Sequence, residues 1–202
     1  MKTLKTLILM GLISITSLAA NAAYIDFAAL GQNPNERGYD PALVLSYASF
    51  DVTITAGANY AYLDSGTGGL GVCKNLGTIG TITDQCKPSS DDSVQTGEML
   101  TFVFNRDVYI NSIFFNNNHD GGFAATGSTI DINGNLIATF TETAKSYNNK
   151  TLVSANTAFT IAYADTTFYV QNMDVSRVPE ATSLMLLLVG FVGLVSLRKR
   201  NV

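Results

Sequence analysis

Asn133-Gly134 stands between two runs in which apolar and polar residues alternate, together residues 128–143. Both central positions of a two-residue hairpin turn need positive φ, which Asn and Gly adopt at little cost, so this stretch is predicted as a β-hairpin. The same period of two recurs along the chain. Val52 and Ile54 alternate with threonines in residues 50–56, and runs at 98–105 and 108–115 are joined only by Arg106-Asp107. Residues 158–175 hold two further strands around Ala164-Asp165. No apolar stripe of helical period interrupts them. Short strands separated by Gly, Asn, Asp and Thr predict an all-β domain, an antiparallel β-sandwich of jelly-roll-like kind.

The two ends read differently from this domain. Residues 1–22 carry Lys2 and Lys5, then an apolar stretch from Leu7 to Leu18, then Ala20-Asn21-Ala22. That is the build of a secretory signal peptide, with signal peptidase expected to cut after Ala22. At the other end, eleven of the sixteen residues in 182–197 are Leu, Val, Met or Phe, and none is charged. As a helix this span is about 24 Å long, near the thickness of a hydrocarbon core. The basic tail Arg198, Lys199 and Arg200 stays on the cytoplasmic side of such a span, so residues 23–177 are predicted as an ectodomain outside the cytoplasm.

Those 155 residues contain seven Lys and Arg against fifteen Asp and Glu, a net of −8 where the whole chain carries −4. An acidic exported domain is a poor partner for nucleic acid, because nothing offsets phosphate repulsion. Neutral sugars or calcium suit it better. Cys73 and Cys86 are the only cysteines. An even number in an oxidising compartment reads as one disulfide, worth about 3 kcal/mol for a loop of that length.

The C-terminal segment 178–202 resembles the PEP-CTERM sorting signal of proteins exported by Gram-negative bacteria. Val178, Pro179 and Glu180 match its opening. The small polar stretch Thr182-Ser183 follows, then the Leu-rich span with Gly190 and Gly193, then Arg198, Lys199 and Arg200. The second proline of that signal is replaced here by Ala181. The resemblance implies a protein held by its tail in the inner membrane, its domain in the periplasm. An exosortase then cuts near the motif and passes the domain to the cell surface or the extracellular matrix. It also implies an exopolysaccharide and biofilm setting. Residues 65–73 and 86–104, with Gly69-Leu70-Gly71-Val72 and Glu98-x-Leu100-x-Phe102, resemble β-sandwich ectodomains of this class.

Within the domain, four patterns invite a chemical reading. Gly66-x-Gly68-x-x-Gly71 matches a dinucleotide fingerprint, with Asp91 twenty residues on, but a Gly-rich stretch follows where a phosphate-binding helix is required, so it reads as a flexible loop. Asn116, Asn118 and Asp120 alternate ahead of Gly121, like half of a calcium loop. Position 127 is glycine where an EF-hand places its last ligand, so a structural calcium would need Asp91, Asp92 or Glu98 to close on it. His119 is the only histidine, and no nucleophile elbow accompanies it. Tyr60, Tyr62 and Phe123 offer rings for stacking on sugars, against the alternative that the tyrosines fill the core. The sequence therefore predicts a non-catalytic surface or matrix protein that binds polysaccharide and needs no cofactor. A secreted carbohydrate-active enzyme and a permanently anchored adhesin stand as alternatives.

Overall fold

The computed structural model describes residues 22–32, 36–116, 128–140, 146–179 and 190. One compact unit spans Ala22–Arg177. Its elements are β1 (Ala22–Asp26), α1 (Phe27–Gln32), β2 (Arg37–Tyr39), β3 (Leu43–Ser46), β4 (Asp51–Thr55), β5 (Tyr60–Leu63), β6 (Leu70–Cys73), β7 (Leu76–Ile79) and β8 (Ile82–Cys86). There follow β9 (Met99–Phe104), β10 (Val108–Asn116), β11 (Ser128–Ile132), β12 (Asn135–Phe140), β13 (Ser146–Tyr147), β14 (Thr151–Val153), β15 (Ala158–Tyr163) and β16 (Tyr169–Arg177).

Two antiparallel sheets enclose one core, so the architecture is a β-sandwich. The first runs β13-β10-β16-β6-β5-β2, with β1 alongside β16 and β14 alongside β10. The second runs β12-β11-β15-β9-β4-β3, and β7 and β8 form a separate hairpin. Strict alternation sets the inner face of the second sheet. Val52 and Ile54 of β4, Leu100, Phe102 and Phe104 of β9, and Phe159 and Ile161 of β15 point inward and are buried. Phe102 meets Phe159 and Phe27 edge-on at 6.3 and 6.4 Å. In β10 the alternation breaks: a bulge between Ile110 and Ser112 lets Ile110 and Ile113, three apart, both enter the core.

The predicted hairpin is present. Asn133 and Gly134 have φ of 55° and 80°, and the Gly134 N–H donates to Asp131 Oδ1 at 2.8 Å. The other two short connections differ. β9 lies in the second sheet and β10 in the first, and the same holds for β15 and β16. Arg106-Asp107 and the segment after Tyr163 thus carry the chain between sheets instead of folding it back. Neither supplies the positive-φ residue that the I′ and II′ hairpin turns require. One element departs from the all-β expectation: α1, whose N-terminus is capped by Asp26 Oδ1 accepting the Ala29 N–H at 3.0 Å.

Cys73 and Cys86 form the predicted disulfide and staple the β7–β8 hairpin to the end of β6. Replacing both with serine is expected to cost about 2–4 kcal/mol, read as a lower Tm and as new proteolytic cuts within residues 74–86. An unchanged Tm would show the staple to be dispensable. Among the described residues no helix is long and apolar enough to cross a membrane. The predicted span 182–197, apart from Gly190, and signal-peptide residues 1–21 lie outside the described residues, as do Glu180, Arg198, Lys199 and Arg200.

Candidate functional site

Two of the acidic residues expected to gather around calcium, Asp91 and Glu98, meet a lysine instead. Lys74, just past Cys73, places Nζ 2.8 Å from Asp91 Oδ1 and 3.2 Å from Glu98 Oε1. Asp91 Oδ2 also accepts the Lys74 N–H at 3.1 Å, Glu98 Oε1 accepts from Asn59 Nδ2 at 3.3 Å, and Glu98 Oε2 accepts the Gln95 N–H at 2.8 Å. These bonds, from Asp91 first and then Glu98, hold the ammonium protonated above its ordinary range. Asp92 turns the other way, and its Oδ1 accepts the Tyr169 hydroxyl at 2.5 Å. Asn116 is buried, with its amide nitrogen donating to the carbonyl oxygens of Thr67 and Gly68. The calcium arrangement expected of Asp91, Asp92, Glu98 and Asn116 is therefore not what the fold makes of them. Among the described residues no group of three His, Cys, Asp or Glu is placed to hold a metal. Asn118, His119, Asp120 and Phe123 lie outside those residues.

The Gly66–Gly71 pattern is a packing motif and not a flexible loop. A Cβ on Gly68 would lie 1.8 Å from Asp64 Oδ2, and one on Gly71 would lie 1.9 Å from the Asp92 carbonyl oxygen. Gly69 has φ of 142° and abuts the Val170 carbonyl. Gly68, Gly69 and Gly71 each admit a neighbour that a side chain would exclude, whereas Gly66 serves the turn through its φ of 68°. Tyr62 is likewise structural. It is 2% exposed, packs against Cys73 and Cys86, and its hydroxyl is hydrogen-bonded by the Cys86 backbone. Burial pushes that phenol well above its usual range, and the ring is not open to a ligand. Tyr60 remains half-buried at the start of β5.

Sequence reasoning missed the cleft beside this packing. A cavity of about 560 Å³ is lined by Gln32, Glu36, Ser65, Gly66, Ile82 and Gln85. The end of α1, the residue ahead of β2, the turn after β5 and strand β8 converge there. Ser65 Oγ donates to Glu36 Oε2 at 3.0 Å, and Gln85 Nε2 donates to the Glu36 carbonyl. Behind Glu36 sits Asp64, 1% exposed, whose carboxyl is hydrogen-bonded to the Glu36 side chain. Burial first, then the charge of Asp92, pushes Asp64 up to about 8. At neutral pH Asp64 keeps its proton and donates it to Glu36. No sequence motif marks this arrangement, because its parts are isolated polar residues from four separate segments.

No protein-family model matches the chain, and no curated protein matches it. One solved structure, from work on glycan recognition in the Ruminococcus flavefaciens cellulosome, is 16% identical, covering 80% of this chain and 97% of its own, with a TM-score of 0.33. At that TM-score the likeness carries no argument.

Proposed function

We propose that this chain is an exported, non-catalytic component of the surface or extracellular matrix of a Gram-negative bacterium, sorted by an exosortase and binding extracellular polysaccharide. The observation that carries the sorting reading is the C-terminal order Val178-Pro179-Glu180, apolar span, Arg198-Lys199-Arg200, set directly after the last strand. Pro179 disfavours the helical region for its predecessor Val178 and keeps that residue extended, which suits a protease groove. Cleavage after Ala22 at the other end is compatible with the fold. Of the five β1–β16 pairs it removes Ala22↔Ser176 and leaves four, Ala23↔Val175 to Asp26↔Asn172.

Support for the non-catalytic reading comes from how the carboxylates are used. A glycosidase needs two carboxyl groups about 5–10 Å apart across a substrate. Asp91 and Glu98 instead bracket Lys74, and Asp64 bonds Glu36 directly from a buried position. Ala181, in place of the signal's second proline, favours the permanently anchored adhesin as the second reading. The intact mass of the protein from its native host, with and without the exosortase, separates the two. A mass ending near Glu180 only in the exosortase-positive host is expected. A mass ending at Val202 in both hosts would make the tail an anchor.

A further inference from the structure

The cleft at Glu36 presents hydrogen-bond acceptors and one apolar wall. Among the described lining residues Glu36 is the single charged one, and none of them is a lysine or arginine. The Glu36 carboxylate is fixed from behind by the Ser65 hydroxyl at 3.0 Å and by the Asp64 acid, both from the turn after β5. Each carboxylate oxygen has a second lone pair, so the group can accept further hydrogen bonds without losing the two that orient it. Gln85 is 4% exposed and spends its amide nitrogen on the Glu36 backbone, which leaves its Oε1 as another acceptor. Gln32 adds an amide able to give or take. Ile82, 40% exposed and on the same strand as Gln85, adds an aliphatic surface on the β7–β8 hairpin, which the disulfide holds in place. The volume lies in the range of small-molecule sites.

We propose that this cleft is the polysaccharide-binding site, and that it takes a saccharide unit carrying hydroxyl or amine donors and no acid group. Glu36 and Gln85 accept from the donors along one edge of the sugar, and Ile82 covers its C–H face. A uronic acid is refused, because its carboxylate would face Glu36 with no cation between them. The assignment rests on the polysaccharide-binding reading above, and goes beyond it by naming the place and the sugar class.

The test uses the full-length protein in mild detergent against three probes: hexasaccharides of glucose, of glucosamine and of a uronic acid. The wild type is expected to bind at least one of the first two and not the third. Glu36→Gln removes a charge-assisted acceptor and should weaken binding about tenfold or more. Ile82→Ser, at a partly exposed position outside the core, should also weaken it. Thermal melts accompany both variants. Wild-type binding that neither variant alters would put the glycan elsewhere and overturn the assignment while leaving the polysaccharide reading intact. Equal binding of the uronic acid probe would overturn the sugar class. No binding of any probe by the wild type would overturn the polysaccharide reading itself.

Discussion

Asp64→Asn is expected to make the protein more stable, and by an amount that grows with pH. Asp64 holds its proton in the folded state up to about pH 8, whereas its ordinary value is 3.8. Below that lower value both states carry the proton and the group is neutral in its effect on folding. Between the two values only the folded state carries it, so release of the proton on unfolding lowers stability by about 1.4 kcal/mol per pH unit. Above pH 8 the loss levels off. Asparagine matches the neutral acid in shape, and its amide N–H can donate to Glu36 as the acid proton does. Urea melts of wild type and variant should nearly coincide near pH 4 and draw apart as the pH rises, by several kcal/mol at pH 8. A difference that is the same at both pH values would mean that Asp64 is ionised in the fold, and the buried acid would lose its basis.

The same residue shows where reading the sequence stops. Strands β4 and β11 were legible because Val52 and Ile54, and Ile130 and Ile132, alternate with polar residues, and β12 because Asn133-Gly134 ties it to β11. The pairing of strands was less so. A two-residue gap such as Arg106-Asp107 is compatible with a hairpin or with a crossing between sheets, and only the partners decide. Strands β2, β13 and β14, of two or three residues each, have too few residues to show a period. The candidate site lay further out of reach. Asp91 and Glu98 could be marked as acidic, but nothing near them in sequence announces that Lys74, across a disulfide-closed loop, pairs with both. Glu36 and Asp64 are 28 positions apart and meet only because α1 and the turn after β5 pack together, with the Gly31 backbone against the Asp64 carbonyl. A charge can be read from one position, whereas its partner is a property of the fold.

Gly71→Ala is expected to be among the most damaging single methyl additions in the domain. Gly71 lies in β6, paired with Tyr62 of β5 on one side, while its neighbour Leu70 pairs with Val170 of β16. An added Cβ would stand 1.9 Å from the Asp92 carbonyl oxygen, 2.9 Å from its carbon and 3.0 Å from Ser93 Cα. All three are backbone or Cα atoms, so no side chain can swing away. β6 is held on both edges, and Asp92 is held by Tyr169, so relief requires separating packed strands. Overpacking usually costs about 1–3 kcal/mol, and a backbone clash between fixed elements should reach about 3–5 kcal/mol. The fitting control is Gly66→Ala at the other end of the same motif. There φ is +68° and a Cβ meets nothing within 4 Å, so the cost is that of a left-handed alanine alone, about 1–2 kcal/mol. Chemical melts of the two variants measure the difference directly. If Gly66→Ala proved as costly as Gly71→Ala, close packing would not be what the glycines at 68, 69 and 71 provide, and the motif would need an explanation based on turn conformation instead.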